Sequence, residues 1–177
     1  IYDLEKLNFD SFKFIIIDLG NVEYNDNKEQ DEIMLRSYRP PENIISDFYD
    51  YKADMLCLGC LIYELVTNNY LFKIIKKKKS IDKDRYHLYK MYECLGKMPK
   101  DMTLSCEFSK DLFDNKGNIL KRKKYESNDL EKLLLEESTY KEFEIKEISN
   151  FLKKILVYNP EKRLSSSECY NDIWVIN

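Results

Sequence analysis

The strongest constraint on the fold is the segment 51–67, which is apolar on nearly every face of a helix. Its two acidic residues, Asp54 and Glu64, are the exceptions. A helix that is apolar all round must be surrounded by other elements, so the segment predicts a helix at the centre of a core, ending at Asn68. Because a charge in such a helix needs partners, Asp54 is expected to accept hydrogen bonds from backbone amides of a neighbouring loop.

Turn-forming residues are scarce: the 177 residues include four glycines and four prolines, while 44% are apolar and 14% aromatic. Such a chain is long enough for one domain with a continuous core. It is too poor in glycine for a turn-rich sandwich or barrel, and it has no glycine-rich phosphate loop. A single histidine excludes a zinc site built on paired histidines. The composition therefore predicts a mainly α fold.

Local patterns place the other elements. Residues 12–17 form a short run rich in isoleucine that predicts a strand. A bundle of about five or six helices is expected to follow it. The predicted helices after the central one are 85–95, closed by Gly96; 130–137, capped by Asn128 with Glu131; 144–157; and a short last helix capped by Ser165 with Glu168, against which Trp174 packs.

Charge and cysteine content weigh against several functions. The net charge of −3 does not favour direct binding of nucleic acid. The run Lys76–Lys79 lies in a segment, 73–84, that we interpret as a solvated lysine-rich insert. The five cysteines are odd in number, and Cys57 and Cys60 are interpreted as small residues of the apolar helix. No segment is expected to span a membrane, and a start at Ile1 indicates a piece of a longer protein.

Asp18 is the best candidate for chemistry. It follows the predicted strand and precedes Leu19-Gly20. A carboxylate at that place can bind Mg²⁺ that bridges nucleotide phosphates. The tripeptide alone is more often an ordinary turn at the end of a strand, so its meaning depends on the rest of the chain.

Glu42 and Arg163 predict a contact between distant parts of the chain. Glu42 ends the stretch Tyr38-Arg39-Pro40-Pro41, and Arg163 lies in a polar segment far downstream. A buried glutamate needs a partner, and arginine supplies a bidentate one. We therefore expect the pair to tie this stretch to the helical bundle.

In their order and spacing these residues resemble the eukaryotic protein kinases, from the metal-binding Asp-Phe-Gly motif to the end of the domain. Asp18-Leu19-Gly20 is similar to that motif, and Pro41-Glu42 to the end of the activation segment. The SR-protein kinases are more similar still. The resemblance covers residues 13–175, and the stretches distinctive of that family are 17–21, 93–99 and 108–113 with Lys116-Gly117.

The resemblance implies part of a kinase domain over residues 1–177: a C-terminal lobe, helical with a short N-terminal strand pair, without the N-terminal lobe. The complete enzyme would use ATP and Mg²⁺ to phosphorylate Arg/Ser-rich proteins, in the cytoplasm or nucleus, and would need the missing N-terminal half. The implied roles are metal binding for Asp18, substrate binding for Arg36, Tyr38 and Arg39, docking for Glu93, and structural support for Gly20, Glu42, Asp54 and Arg163.

The segment 21–34 points independently to a basic substrate. It contains no serine or threonine, so it lacks a phosphorylation switch of the usual kind. It holds five acidic residues against one lysine. Such a loop beside an active site would attract a basic peptide; the alternative is a solvated acidic loop. Arg36 and Arg39 could then receive an acidic or phosphorylated neighbour of the acceptor residue.

The chain also departs from the family. The only histidine, His87, is followed by Leu88-Tyr89, so no His-Arg-Asp loop is present, and no nucleotide-binding lysine is found. Leu35 stands where these kinases have a threonine. Tyr86 and Glu137 replace an acid and a lysine of the docking groove. The fragment alone is expected to be inactive, and the alternatives are a pseudokinase or non-catalytic module that binds basic peptides, and a truncated product without function.

Overall fold

The computed structural model describes residues 13, 15–22, 34–46, 49–74, 80–121 and 128–176. These residues are mostly helical, which confirms the predicted mainly α fold. Short 3₁₀ helices cover Leu19–Asn21, Arg36–Tyr38 and Pro160–Lys162. The α-helices are α1 (Pro41–Ile45), α2 (Ala53–Thr67), α3 (Ser80–Leu95), α4 (Lys100–Ser105), α5 (Ser109–Leu112), α6 (Leu130–Glu137), α7 (Glu142–Ile155), α8 (Ser166–Tyr170) and α9 (Ile173–Ile176).

Helix α2 occupies the centre of the bundle, as its sequence predicts. It packs against α6, α7 and the 3₁₀ helix 36–38. Gly59 lets α7 come close, because a Cβ at this position would lie 2.7 Å from Leu156 Cδ2. The helix ends at Asn68, which has φ 56° and donates its backbone N–H to the Glu64 carbonyl. One side of α2 is left open, since Leu61 and Leu65 are exposed.

Helix α3 starts earlier than its amphipathic pattern indicates, at Ser80 rather than Arg85. Residues 75–79 of the lysine-rich segment lie outside the described residues, and its last five residues belong to α3. The helix ends at Leu95, and Gly96 follows with φ 77°, a conformation that favours glycine. The predicted closure by Gly96 is therefore confirmed.

Helices α6 and α8 are each capped by the residue that directly precedes them, whose side chain accepts from an amide of the first turn. Asp129, not the predicted Asn128, caps α6 by accepting from the Glu131 amide. Both residue types can cap a helix, and Asn128 instead donates its backbone N–H to the Glu93 carbonyl. The capping box of α8 is formed by Ser165 and Glu168, as predicted. Trp174 stacks on Phe151 of α7, with ring centroids 4.6 Å apart.

The strand predicted at 12–17 is not found among the described residues. Phe12 and Phe14 lie outside them, and residues 15–17 have no regular structure, with Ile15, Ile16 and Ile17 each at least 74% exposed. A strand forms only beside a partner, and no described segment pairs with this one. The only bridge in the described part of the chain joins Phe113 and Ile119 across the turn at Gly117.

Two further properties concern the described residues as a whole. None of their helices is long and apolar enough to cross a bilayer. The cysteines are free thiols, and Cys60 of α2 is buried. Burial raises the pKa of the Cys57 thiol to about 11 and that of Cys60 well above its usual value. Thiols of this kind are poor nucleophiles and poor metal ligands.

Candidate functional site

Asp18 lies at a sharp bend. Its backbone has φ 62° and ψ 52°, and the 3₁₀ helix 19–21 follows directly. In the described residues no group of three or more His, Cys, Asp or Glu side chains could hold a metal. Asp18 would thus supply one carboxylate, which fits Mg²⁺, since this ion is commonly held by one or two carboxylates together with nucleotide phosphates and water. At Gly20 a Cβ would meet nothing within 4 Å, so the described neighbours give no steric reason for glycine there.

Residues 35–39, which we call the substrate turn after the role predicted for Arg36, Tyr38 and Arg39, are fixed by two acidic side chains from different helices. Arg36 forms an ion pair with Asp84 of α3. The Tyr38 hydroxyl donates a hydrogen bond to the Glu64 carboxylate of α2, and this bond, with burial, raises the pKa of Tyr38. The Tyr38 ring also meets Tyr70 edge-on, with centroids 5.9 Å apart. The turn is thereby oriented relative to the core.

An open cavity of about 420 Å³ lies beside the substrate turn. Arg36 and Lys83 contribute positive charge to it, and Leu35 lies in its wall with 73% of its surface exposed. A cavity with this lining suits a small apolar side chain next to an anionic group. The lining residues are Leu35, Arg36, Ser37, Tyr38, Tyr70, Ile74 and Lys83.

Arg39 differs from the other two predicted substrate residues. It is only 5% exposed and does not line the cavity. It lies near His87 of α3, whose side chain is fully buried with neither ring nitrogen hydrogen-bonded. Burial, with the charges of Arg36 and Arg39, lowers the pKa of His87 to about 3. His87 is therefore neutral at pH 7, near the charges of Arg36 and Arg39.

Glu42 and Arg163 are brought together as expected. Arg163 Nη1 lies 2.7 Å from Glu42 Oε1, and Nη2 lies 3.0 Å from Oε2. The Arg163 side chain has no exposed surface. Its remaining N–H groups donate to the backbone carbonyls of Val157 and Lys52, so the guanidinium joins α1, the start of α2 and the end of α7.

Asp54 does not have the expected partners within the part of the chain described here. Its carboxylate lies at the start of α2 on the open side, and no backbone amide of that part donates to it. Partial burial alone raises its pKa. The predicted hydrogen bonds of Asp54 are therefore not found among the described residues.

Glu93 lies at the other end of α3 from Asp84, about 13 Å along the helix axis at 1.5 Å per residue. Its carboxylate is paired with Lys90, with Nζ 2.6 Å from Oε2. Glu137, in the position where the kinases resembled here have a lysine, accepts a hydrogen bond from Tyr63 at 3.1 Å. Both carboxylates therefore have partners within the chain.

Two residues of the site were missed by sequence reasoning, Glu64 and Asp84. Glu64 carried a signal, because an acidic residue in an otherwise apolar helix needs a hydrogen-bond donor. Asp84 carried none, since it lies in a charged stretch that gave no indication of a helix. Its pairing with Arg36 depends on α3 starting at Ser80.

Comparison with known proteins gives consistent matches. Residues 6–175 match the family described as the protein kinase domain. The chain is 34% identical over 163 residues to the probable serine/threonine-protein kinase sky1 of Dictyostelium discoideum, over 90% of this chain and 24% of that protein. It is 31% identical over 160 residues to the serine/threonine-protein kinase SKY1 of Saccharomyces cerevisiae, over 90% of this chain and 21% of that protein.

A third similar protein is SRSF protein kinase 3 of Homo sapiens, 30% identical over 172 residues, which are 97% of this chain and 30% of that protein. The chain therefore spans less than a third of the length of these curated relatives. The match to the protein kinase domain, over residues 6–175, includes the Glu42–Arg163 pair and residues 35–39.

Proposed function

This chain belongs to the protein kinase family, and we propose that it is the C-terminal portion of a serine/threonine kinase that transfers phosphate from ATP to arginine- and serine-rich proteins. The predicted resemblance to the SR-protein kinases is confirmed by the relatives. The observation that carries the proposal is that these kinases are similar over 90–97% of this chain. The acidic segment 21–34 supports a basic substrate; residues 23–33, which include all five of its acids, lie outside the described residues.

Two parts of the chain have roles in the proposed reaction. Asp18 would give Mg²⁺ one carboxylate ligand, and the metal would neutralise charge on the ATP phosphates. The substrate turn would seat the peptide, with the residue next to the acceptor serine in the cavity beside Arg36 and Tyr38. A phosphorylated or acidic neighbour would then compete with Asp84 for the Arg36 guanidinium, because both are anions that pair with arginine.

The sequence has no His-Arg-Asp motif, whose aspartate accepts the proton of the substrate hydroxyl in protein kinases, so we propose that transfer requires an N-terminal half with the catalytic loop and nucleotide lobe. The test is transfer of labelled phosphate from Mg-ATP to an arginine-serine repeat peptide by the purified chain. We expect no transfer above the blank. Turnover at an ordinary kinase rate of ~1 s⁻¹ would overturn the proposal that transfer requires the N-terminal half. Addition of the N-terminal half should give activity that is lost in Asp18→Asn.

A second candidate function is a non-catalytic module that binds basic peptides. Leu35 favours it, since this exposed residue stands where the kinases resembled here have a threonine. The distinguishing experiment is Leu35→Thr in the chain combined with its N-terminal half. Phosphate transfer by the unchanged chain, with little further gain in Leu35→Thr, would support the enzyme, whereas saturable peptide binding with transfer only in Leu35→Thr, or in neither, would support the module.

Peptide titration separates both functions from an inert remnant. An arginine-serine repeat peptide should bind the chain saturably, and binding should weaken with added salt because opposite charges pair. A glutamine-serine peptide of equal length is the control. No saturable binding of either peptide would contradict both proposed functions.

The proposal also assigns the protein to the cytoplasm or nucleus, which a fluorescent fusion would test.

A further inference from the structure

Lys52 and Arg163 each bind the backbone carbonyl of the other through their side chains. The Lys52 ammonium donates to the Arg163 carbonyl, with an N–O distance of 2.8 Å, and it also donates to the Glu161 carbonyl at 3.5 Å. In return, Arg163 Nη1 donates to the Lys52 carbonyl at 2.6 Å. We call these reciprocal bonds the Lys52–Arg163 clamp. The clamp joins the residue directly before α2 to the 3₁₀ helix 160–162 and the residue that follows it.

The clamp holds the backbone of the segment that carries the Arg163 guanidinium. The last carbonyls of a helical turn lack partners inside the helix and can be bound by a lysine side chain. Here that lysine is 111 residues away from Arg163 in the sequence, so the bond ties the segment to the start of α2. A hydrogen bond from an ammonium is about twice as strong as one between neutral groups. The bond therefore fixes the backbone from which the Arg163 side chain extends.

The position of Arg163 determines in turn where Glu42 lies. The guanidinium binds both carboxylate oxygens of Glu42, at 2.7 and 3.0 Å, so Glu42 cannot shift without breaking two bonds between buried charges. Glu42 follows the substrate turn after Pro40 and Pro41, and a proline has no backbone N–H to donate. The Glu42 carboxylate therefore anchors the exit of the turn, where the two prolines cannot anchor the chain through amides of their own.

We propose that Lys52 is a positioning residue for the substrate turn and acts through the Arg163 guanidinium and the Glu42 carboxylate. The contacts of Arg36 with α3 and of Tyr38 with α2 hold the turn itself, whereas Lys52 fixes the path by which the chain leaves it. The effect of Lys52 on peptide binding rests on the proposed function, since that function assigns the peptide to the turn. The positioning of the turn is measurable without a peptide.

The first measurement is amide hydrogen exchange of the chain and of Lys52→Met, which keeps the length of the side chain and removes every donor. The amides of Tyr38 and Arg39 report on the turn, because they donate to the carbonyls of Leu35 and Arg36. We expect both amides to exchange about 10-fold faster in Lys52→Met, the low end of what loss of a hydrogen bond to a charged group gives. Lys52→Arg keeps a charged donor and should restore slow exchange.

The second measurement is the Kd of an arginine-serine repeat peptide by fluorescence anisotropy, which should rise about 3- to 10-fold in Lys52→Met and little in Lys52→Arg. Lys153→Met is the matched control. It removes a lysine whose ion pair with Glu131 joins α7 to α6, and it should change neither measurement. Thermal unfolding verifies that each variant is folded. Lys52→Gln keeps a neutral donor, should give smaller effects, and provides the same comparison if Lys52→Met does not fold.

The outcomes separate the positioning role from the proposed function. Unchanged exchange at Tyr38 and Arg39 in Lys52→Met would overturn the inference. Equal acceleration in Lys52→Met and Lys153→Met would also overturn it, because it would report a general loss of stability. Faster exchange with an unchanged Kd would overturn the role of Lys52 in substrate binding. If exchange is faster but not even the unchanged chain binds the peptide, the positioning by Lys52 is supported and the proposed function fails.

Discussion

Arg163 and Glu42 are 121 residues apart in the sequence and form a bidentate ion pair with Nη–Oε distances of 2.7 and 3.0 Å. The guanidinium is wholly buried and the carboxylate nearly so. Burying charges is costly unless they are paired and fully hydrogen-bonded. The main effect of the pair is therefore that each charge offsets the free-energy cost of burying the other.

Glu42→Gln should strongly destabilise the chain. The amide keeps the shape of the side chain but leaves the buried guanidinium without a counter-charge, at a cost of about 3–5 kcal/mol. The measurement is urea unfolding monitored by fluorescence of the single tryptophan. The control is Glu142→Gln, which breaks the exposed pair with Lys146 and should cost less than about 0.5 kcal/mol. Equal effects for the two variants would contradict this account.

Gly59→Ala should destabilise α2, although alanine is the better helix former by about 1 kcal/mol. The added methyl would lie 2.7 Å from Leu156 Cδ2 and 3.3 Å from Ile155 Cδ1. Both neighbours are buried, so the helices must move apart, typically at a cost of about 1–3 kcal/mol. Leu156→Ala should recover part of this loss in a double-mutant cycle. Additive effects of the two substitutions would show that the close approach is not the cause.

Gly117 and Gly96 form a matched pair, because both have φ 77°. A Cβ at Gly117 would lie 2.5 Å from Thr103 Oγ1, whereas one at Gly96 would meet nothing within 4 Å. Alanine at Gly96 should cost only the left-handed backbone strain of about 1–2 kcal/mol. Alanine at Gly117 should cost more, and Thr103→Ser should not relieve it, since the oxygen remains. Chemical unfolding of the variants measures the difference, and equal losses would contradict the crowding.

His87 should make the chain less stable in mild acid. Its pKa is about 3 in the folded protein and 6.5 when exposed. The unfolded chain therefore takes up a proton between these values while the folded chain does not. Stability is complete above pH 6.5 and falls as the pH is lowered, by about 2 kcal/mol at pH 5. The loss continues towards pH 3.

His87→Leu tests this effect, because His87 is the only histidine in the chain. The variant should lose the part of the pH dependence between pH 5 and 7 that comes from the imidazole. Urea unfolding at both pH values gives the comparison. An unchanged pH dependence would mean that the buried ring is protonated in the fold or that another group dominates.

The features predicted correctly from the sequence depend on local patterns. The apolar run that forms α2, the capping box at Ser165 and the glycine after α3 act within a few residues, so their structure follows from spacing. The Glu42–Arg163 contact could be predicted for another reason. A buried charge requires an opposite charge, and arginine is rare in this chain.

The features that were missed depend on distant partners or on choices between equivalent residues. The strand at 12–17 has no described segment beside it, and pairing cannot be inferred from one strand alone. Asn128 and Asp129 are both good capping residues, and only the structure shows that Asp129 directly precedes α6 and accepts from the Glu131 amide. The acids that hold the substrate turn lie 26 and 48 residues from their partners, beyond the reach of any helical period.

The three exposed isoleucines at 15–17 also affect the behaviour of the chain in solution. They are adjacent, uncharged and β-branched, the composition that favours stacking of identical segments into cross-β aggregates. At high concentration, these side chains can be buried by association with a second molecule of the chain. We therefore expect lysine substitutions at these three positions to raise the solubility of the chain.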